Sequence, residues 1–194
     1  MKPILRDFPN SLETDRLILR CPLPGDGQAV RNAVLASQEH LKPWMPWAVN
    51  IPSDEDYEIR VREGHLKFLS REDLWLMIWH KADQTIIGGT GLHRIDWDVP
   101  KFEIGYWLHV NYTGQGYITE TVTALTTFAF DTLAARRVEI RCDAQNERSA
   151  AVPRRLGFRH EATLHHDSRH HLTHALRDTL VFAKVRPDTN TTPL

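Results

Sequence analysis

The chain has 194 residues, enough for one domain that buries a core of its own. Its 24 Lys and Arg are balanced by 25 Asp and Glu for a formal charge of −1. With no positive excess to neutralise a phosphate backbone, a nucleic-acid partner is not expected. Residues 1–23 carry charges every few positions and nowhere do about 18 apolar residues run together. A signal leader and a membrane span are therefore not expected, and a cytoplasmic location is.

In chain order, Leu17-Ile18-Leu19 lies between charged residues and stops at the proline-rich Pro22-Leu23-Pro24-Gly25, which predicts a first strand. Val30, Val34, Leu35 and Leu41 recur at helical spacing after a cap at Asp26, until Pro43 and Pro46 break the pattern. A second helix is expected over 54–71, capped by Ser53 or Asp54. Leu74 to Trp79 is an apolar run too short for a typical helix, so it predicts a buried strand forming a hairpin with Thr85 to Gly89. Phe102 to Val110 is the next strand.

Ile118, Val122, Leu125, Ala129 and Leu133 place one apolar stripe on a helix beginning near Gln115, with Arg136 and Arg137 suited to its negative end. Its threonines weaken local propensity, so packing of that stripe must hold it. Val138, Ile140 and Cys142 alternate with charged residues, predicting a half-exposed strand. A helix over 147–156 and a strand at Leu180 to Ala183 complete the pattern, and 188–194 reads as a loose tail. Cys21 and Cys142 match neither a metal knuckle nor a redox pair, and both are expected to be reduced.

Strand, glycine loop and helix follow one another at Gly105 to Val110, Asn111-Tyr112-Thr113-Gly114-Gln115-Gly116 and Tyr117 onward. Glycines let backbone approach an anion closely, and free N–H groups at a helix start bind it. A bare Gly-x-Gly more often makes a tight turn, and this loop matches neither the ATP-type loop nor the three-glycine dinucleotide fingerprint.

It instead resembles the diphosphate loop of the GNAT acetyltransferases, Gln/Arg-x-x-Gly-x-Gly/Ala, with Asn111 in place of the usual Gln or Arg. Asn146-Glu147-Arg148-Ser149 followed by Leu156-Gly157-Phe158 resembles a second block of that family. Leu12 to Leu17, Trp44-Met45-Pro46-Trp47, Glu103 to Trp107 and Gly116 to Glu120 are similar to its RimJ/RimL branch, which acetylates N-termini of ribosomal proteins. The resemblance spans residues 11–185, as one acetyltransferase domain within 1–194. It implies an α/β fold with a V-shaped mixed sheet of about seven strands, helices on both faces, and coenzyme A in the splay between the middle strands. Acetyl-CoA is then the co-substrate, no metal is needed, and a homodimer is plausible from the family alone.

The resemblance also implies roles. Cofactor binding falls to Leu108, His109, Val110, Thr113, Gly114, Gln115, Gly116, Tyr117, Ile118, Thr119 and Asn146, with main-chain N–H groups of Leu108 to Val110 facing the thioester oxygen. Glu103 is the candidate base and Ser149 the candidate donor to the leaving thiolate; Pro153 stands where many relatives carry a tyrosine for that task. The plainer readings are a salt-bridged strand carboxylate for Glu103, a helix cap for Ser149 and a turn for Asn146. Trp44 and Trp47 are placed for the acceptor pocket, one of them lining it, with core packing as the rival. Asp167 is a second candidate base. Cys142 reads as an inert core thiol rather than a nucleophile, and the histidines of 160–174 as an exposed hairpin rather than a metal site.

Three functions fit this sequence: an N-terminal peptide acetyltransferase, an acetyltransferase for a small amine, and a non-catalytic acetyl-CoA module. A polycationic small amine would want convergent carboxylates, for which Asp54, Glu55, Asp56 and Glu58 are the candidates, although such a run is usually a solvated helix start.

Overall fold

A computed structural model describes residues 2–186, so the tail expected at 188–194 lies outside the described residues. Its strands are β1 (Ser11–Glu13), β2 (Leu17–Arg20), β3 (Leu74–His80), β4 (Thr85–Asp96), β5 (Lys101–Leu108), β6 (Arg137–Asp143), β7 (Arg159–Arg169) and β8 (Leu176–Val185). Its helices are α1 (Gly27–Ala36), α2 (Gln38–Leu41), α3 (Asp54–Ser70), α4 (Tyr117–Asp131) and α5 (Glu147–Arg155). The strands form one sheet in the order β1-β2-β3-β4-β5-β6-β8-β7. Every neighbouring pair is antiparallel except β5 and β6.

The sheet is covered on both faces. On one, Val122, Leu125 and Ala129 of α4 and Ala150 of α5 pack with Phe102, Ile104, Ile140 and Phe182. On the other, Val30 and Val34 of α1 and Tyr57 and Val61 of α3 pack with Met77 and Ile86. Each fully buried side chain of this size contributes roughly 1.5–3 kcal/mol relative to exposure, which outweighs the weak intrinsic propensity of the threonine-rich α4.

The ends of the helices explain several local choices. Ser53 caps α3 in a reciprocal box: its hydroxyl accepts from Asp56 N–H at 3.1 Å, and the Asp56 carboxylate accepts from Ser53 N–H at 3.2 Å. Asp26 precedes α1 but makes no side-chain cap. Its carboxylate is held by Arg20 at 2.7 and 2.8 Å and by Leu23 N–H at 2.8 Å, because a charged bidentate pair outcompetes a helix N–H. Arg137 likewise does not serve the end of α4, since that helix stops at Asp131 and the guanidinium, itself on β6, binds Glu139 of β6 and Glu161 of β7.

The eight strands of the described residues agree with the sheet of about seven expected, and β1 and β7 are the two that the residue pattern had not marked. β4 also runs past Gly89 to Asp96 instead of ending at its glycines. Side chains from neighbouring positions occupy the space those glycines leave, for a Cβ on Gly89 would lie 2.4 Å from Trp107 Nε1.

Candidate active site

β5 leads through a short 3-10 turn at Val110–Tyr112 into Gly114, Gln115 and Gly116 and then α4. Gly114 and Gly116 have φ of +76° and +82°, a region costly to residues with a Cβ. No side chain caps α4, and its first intrahelical bond is from Glu120 N–H to Gly116 O at 3.0 Å. The N–H groups of Tyr117, Ile118 and Thr119 are thus the unpaired first-turn donors that attract an anion.

Thr119 borders a hollow of about 710 Å³ that is also lined by Gly114, Gly116, Asp15, Glu120 and Arg155 among others, the Glu120 carboxylate being paired with Arg16. Arg155 of α5 donates to Thr119 Oγ1 at 3.1 Å. It adds a cation that the loop motif did not reveal, because it arrives from a helix 36 residues further on. The donor set, a glycine cradle plus one guanidinium, fits a diphosphate.

The remaining side chains of the loop turn inward to brace it. Thr113 Oγ1 donates to Val110 O at 2.9 Å, and Gln115 Nε2 to Asn111 O at 3.1 Å. Burial pushes the His109 imidazole down, which suits a neutral ring whose Nδ1 accepts from Asn111 N–H at 3.1 Å. The Tyr117 hydroxyl meets His80 Nε2 at 3.0 Å, and the Arg16 guanidinium lies 4.2 Å over the Tyr117 ring. Arg16 also joins Gln115 O to the Glu120 carboxylate. Each of these side chains thus has one bond within the protein that holds the loop in shape.

Beside this loop the sheet opens. β5 and β6 pair at just three positions, from Lys101 with Arg137 to Glu103 with Glu139, and then diverge. His109 N–H donates to Ile87 O of β4 at 2.7 Å. Strand alternation then turns the N–H and C=O groups of Leu108 and Tyr106 toward the gap on the β6 side. Val110 N–H is bound to Ser37 Oγ at 3.1 Å. Of the three donors expected over Leu108 to Val110, only Leu108 faces the opening.

Tyr106 and Ser149 meet across the gap. Asn146 Oδ1 accepts from Ser149 N–H at 3.1 Å, so Asn146 is the cap of α5 and the Ser149 hydroxyl is not. Ser149 Oγ instead donates to the Tyr106 hydroxyl at 3.2 Å, and that hydroxyl donates to Ser149 O at 2.9 Å. The carbonyl is available because Pro153, four residues on, has no N–H to give it. Burial pushes the Tyr106 phenol up, only partly offset by Ser149, so it remains a proton donor at neutral pH. The sequence carried a hint of this pair: Tyr106 falls on the apolar side of β5 with Phe102 and Ile104, where a phenol needs a partner.

Cys142 at the end of β6 is pushed up to about 11 by burial, against the lowering effect of Ser149 and Arg154. It is therefore a neutral thiol near pH 7, which disfavours a covalent acetyl-enzyme. We expect iodoacetamide at pH 7.5 to modify Cys142 roughly ten- to a hundredfold more slowly than glutathione. Peptide mass spectrometry after timed quenching would measure this, and labelling as fast as glutathione would refute the neutral-thiol assignment.

On the face opposite α4, a cavity of about 540 Å³ is lined by Trp47, Trp75, Gly89, Tyr106 and Trp107 among others. Trp47 and Trp107 meet edge to face with centroids 5.9 Å apart. Trp44 does not line it and lies under the Arg177 guanidinium at 5.6 Å. Glu103 is ion-paired to Arg94 Nη1 at 3.3 Å, and Asp167 lies 3.9 Å from Arg141 Nη2.

In the histidine-rich stretch, His170 and His171 bond Pro43 O and Lys42 O at 3.0 and 2.7 Å and hold the loop before Trp44. His165 pairs with Asp178 at 2.8 Å. Among the described residues no three His, Cys, Asp or Glu side chains are grouped to hold a metal, and no helix is long and apolar enough to cross a membrane.

Known proteins resemble this chain in sequence and in fold. Residues 16–159 match the family model described as an acetyltransferase (GNAT) domain. The ribosomal-protein-serine acetyltransferase of Escherichia coli (strain K12) is 30% identical over 163 residues, covering 77% of this chain and 89% of that protein. The microcin C7 self-immunity acetyltransferase MccE, solved with acetyl-CoA and AMP, superposes with a TM-score of 0.85 at 23% identity over 92% of this chain and 98% of that one. The ribosomal L7/L12 α-N-protein acetyltransferase RimL, solved with coenzyme A, gives 0.82 at 24% identity over 89% and 95%. With a family model matched across most of its length and the glycine cradle, splayed sheet and opposed cavity all present, the chain belongs to the GNAT family of acetyl-CoA-dependent N-acetyltransferases.

Proposed function

We propose that the chain moves acetyl from acetyl-CoA to the α-amine of a peptide or protein N-terminus, by direct attack in a ternary complex. The observation that carries this is the placing of the two hollows. The anion cradle is at the start of α4, the tryptophan-lined cavity is on the other face, and Tyr106 lines that cavity while its hydroxyl meets Ser149 in the gap.

In this reading the N–H groups of Tyr117 to Thr119 and Arg155 hold the diphosphate of acetyl-CoA. Leu108 N–H faces the thioester carbonyl, and Ser149 with Tyr106 supplies a proton to the departing thiolate. Only the neutral amine attacks. An α-amine with a pKa near 8 is about a tenth neutral at pH 7, whereas a lysine at about 10.4 is almost wholly charged.

Two findings support a peptide over a polycationic small amine. Three of the four acidic residues at the start of α3 are already engaged: Asp54 with Arg31, Asp56 with Ser53, and Glu58 with Gly25 N–H, Gly27 N–H and Arg62. The relative of 30% identity is named for a ribosomal-protein serine.

Release of free thiol from acetyl-CoA, followed with a chromogenic disulfide, tests the reading. Peptides with free N-terminal Ser or Ala should be turned over with kcat/KM at least about tenfold above spermidine or an aminoglycoside, as a difference of one good binding contact gives. The same peptides blocked at Nα should be silent. Preference for the small amines would overturn the peptide assignment, and binding without turnover of any acceptor would leave a non-catalytic module.

A further inference from the structure

The acceptor cavity contains a pair of side chains that the family motifs do not include. His93 of β4 and Asp73, just before β3, both line it, with Nδ1 2.7 Å from Asp73 Oδ2. That bond fixes the ring and places the other nitrogen, Nε2, on the far edge. Among the described residues Nε2 has no hydrogen-bond partner.

The floor beneath the ring is built from two glycines. A Cβ on Gly91 would lie 2.7 Å from His93 Cε1 and 2.8 Å from Nε2, and one on Gly105 would lie 3.2 Å from Cδ2. The imidazole therefore lies along the sheet over Gly91 and Gly105, one residue from Tyr106, and His93 borders the cavity. Glu103 is directly opposite His93 across the β4–β5 ladder and on the same face, but its carboxylate is held by Arg94.

The geometry points to His93, oriented by Asp73, as the group that takes the proton from the acceptor's ammonium, in place of Glu103. The inference rests on the N-acetyltransferase reading and names the base of that same site. The R–NH3+ group gives one proton to Nε2, whose electron pair forms the new N–H bond. The neutral nitrogen attacks the thioester carbon, the C–N bond forms and the C–S bond breaks. The second nitrogen proton passes to the thiolate through Ser149 and Tyr106, and the imidazolium returns its proton to water.

Imidazole is a common general base, and the bond to Asp73 fixes which way this ring is turned. The other charged groups facing it are Glu103 with Arg94 from β5 and β4, and Arg60, Glu63 and Lys67 on the cavity side of α3.

The test measures kcat and kcat/KM against pH for the wild type, His93→Gln, Asp73→Asn and Glu103→Gln, using an amine the wild type acetylates, with calorimetric binding of acetyl-CoA as the control for folding. His93→Gln should bind acetyl-CoA within about twofold of wild type, lose about a hundredfold in kcat and lose the acidic limb of the profile, as removal of a general base does. Added imidazole should restore at least about tenfold of the rate to His93→Ala. Asp73→Asn should slow turnover while displacing the limb, and Glu103→Gln should keep it.

A limb that survives in His93→Gln, or vanishes in Glu103→Gln, overturns the assignment. So does a His93 variant that loses acetyl-CoA binding and cannot be rescued by imidazole, which would make the pair a structural clasp. A wild type that turns over no amine would instead refute the N-acetyltransferase reading itself.

Discussion

Gly116→Val is expected to weaken acetyl-CoA binding about a hundredfold, the loss of roughly one to two charge-assisted hydrogen bonds. Gly116 holds φ at +82° at the start of α4. A β-branched residue there pays about 1–2 kcal/mol or more for the left-handed conformation, or leaves it and turns the Tyr117 to Thr119 N–H groups away. Crowding is not the cause, since the nearest atom to an added Cβ is Arg16 Nη2 at 3.6 Å. Gly116→Asn separates the two effects, for asparagine tolerates this φ and should lose less than about tenfold. Isothermal calorimetry with coenzyme A reads both variants; a valine variant that binds like wild type would remove the cradle from the mechanism.

The second large effect is expected at the gap between β5 and β6. Ser149→Ala and Tyr106→Phe should each lower kcat by about a hundredfold, at the low end of general-acid contributions. The double variant should be little worse than either single one, because the hydroxyls are bonded to each other and act as one unit. Tyr106→Phe also leaves Ser149 O without its phenol, at a cost of about 1–3 kcal/mol in stability.

Pro153→Ala makes the same argument from the other side. It restores an N–H that competes for Ser149 O, so it should stabilise α5 while slowing turnover several-fold. Rates and urea midpoints measured together distinguish these outcomes. Additive losses in the double variant, or a Pro153→Ala enzyme that is both more stable and as fast, would dissociate Tyr106 from the step.

Where local chemistry decides the outcome, the expectations from sequence hold. The stripe of Val122, Leu125 and Ala129 does face the sheet, Ser53 does cap α3, and Gly114 and Gly116 do lie between β5 and the start of α4. Where two partners compete for one group, the outcome lay beyond a linear reading. Asp26 went to Arg20 instead of its own helix, and Arg137 to Glu139 and Glu161 instead of the end of α4. The peptide N–H groups of His109 and Val110 were engaged by Ile87 O and Ser37 Oγ, residues far away in the chain.

The sequence by itself determined the strand–glycine–helix cradle and the family it belongs to, because backbone conformation and first-turn donors depend on residues adjacent in the chain. Only the tertiary structure decided that Arg155 joins that cradle, that Tyr106 meets Ser149 across the splayed strands, and that Asp73 bonds His93 at the wall of the tryptophan-lined cavity. Those contacts link positions 36, 43 and 20 residues apart. Their hydrogen-bond geometry is set by how β4, β5 and α5 pack, and packing of that kind leaves no period or motif in the chain to be read.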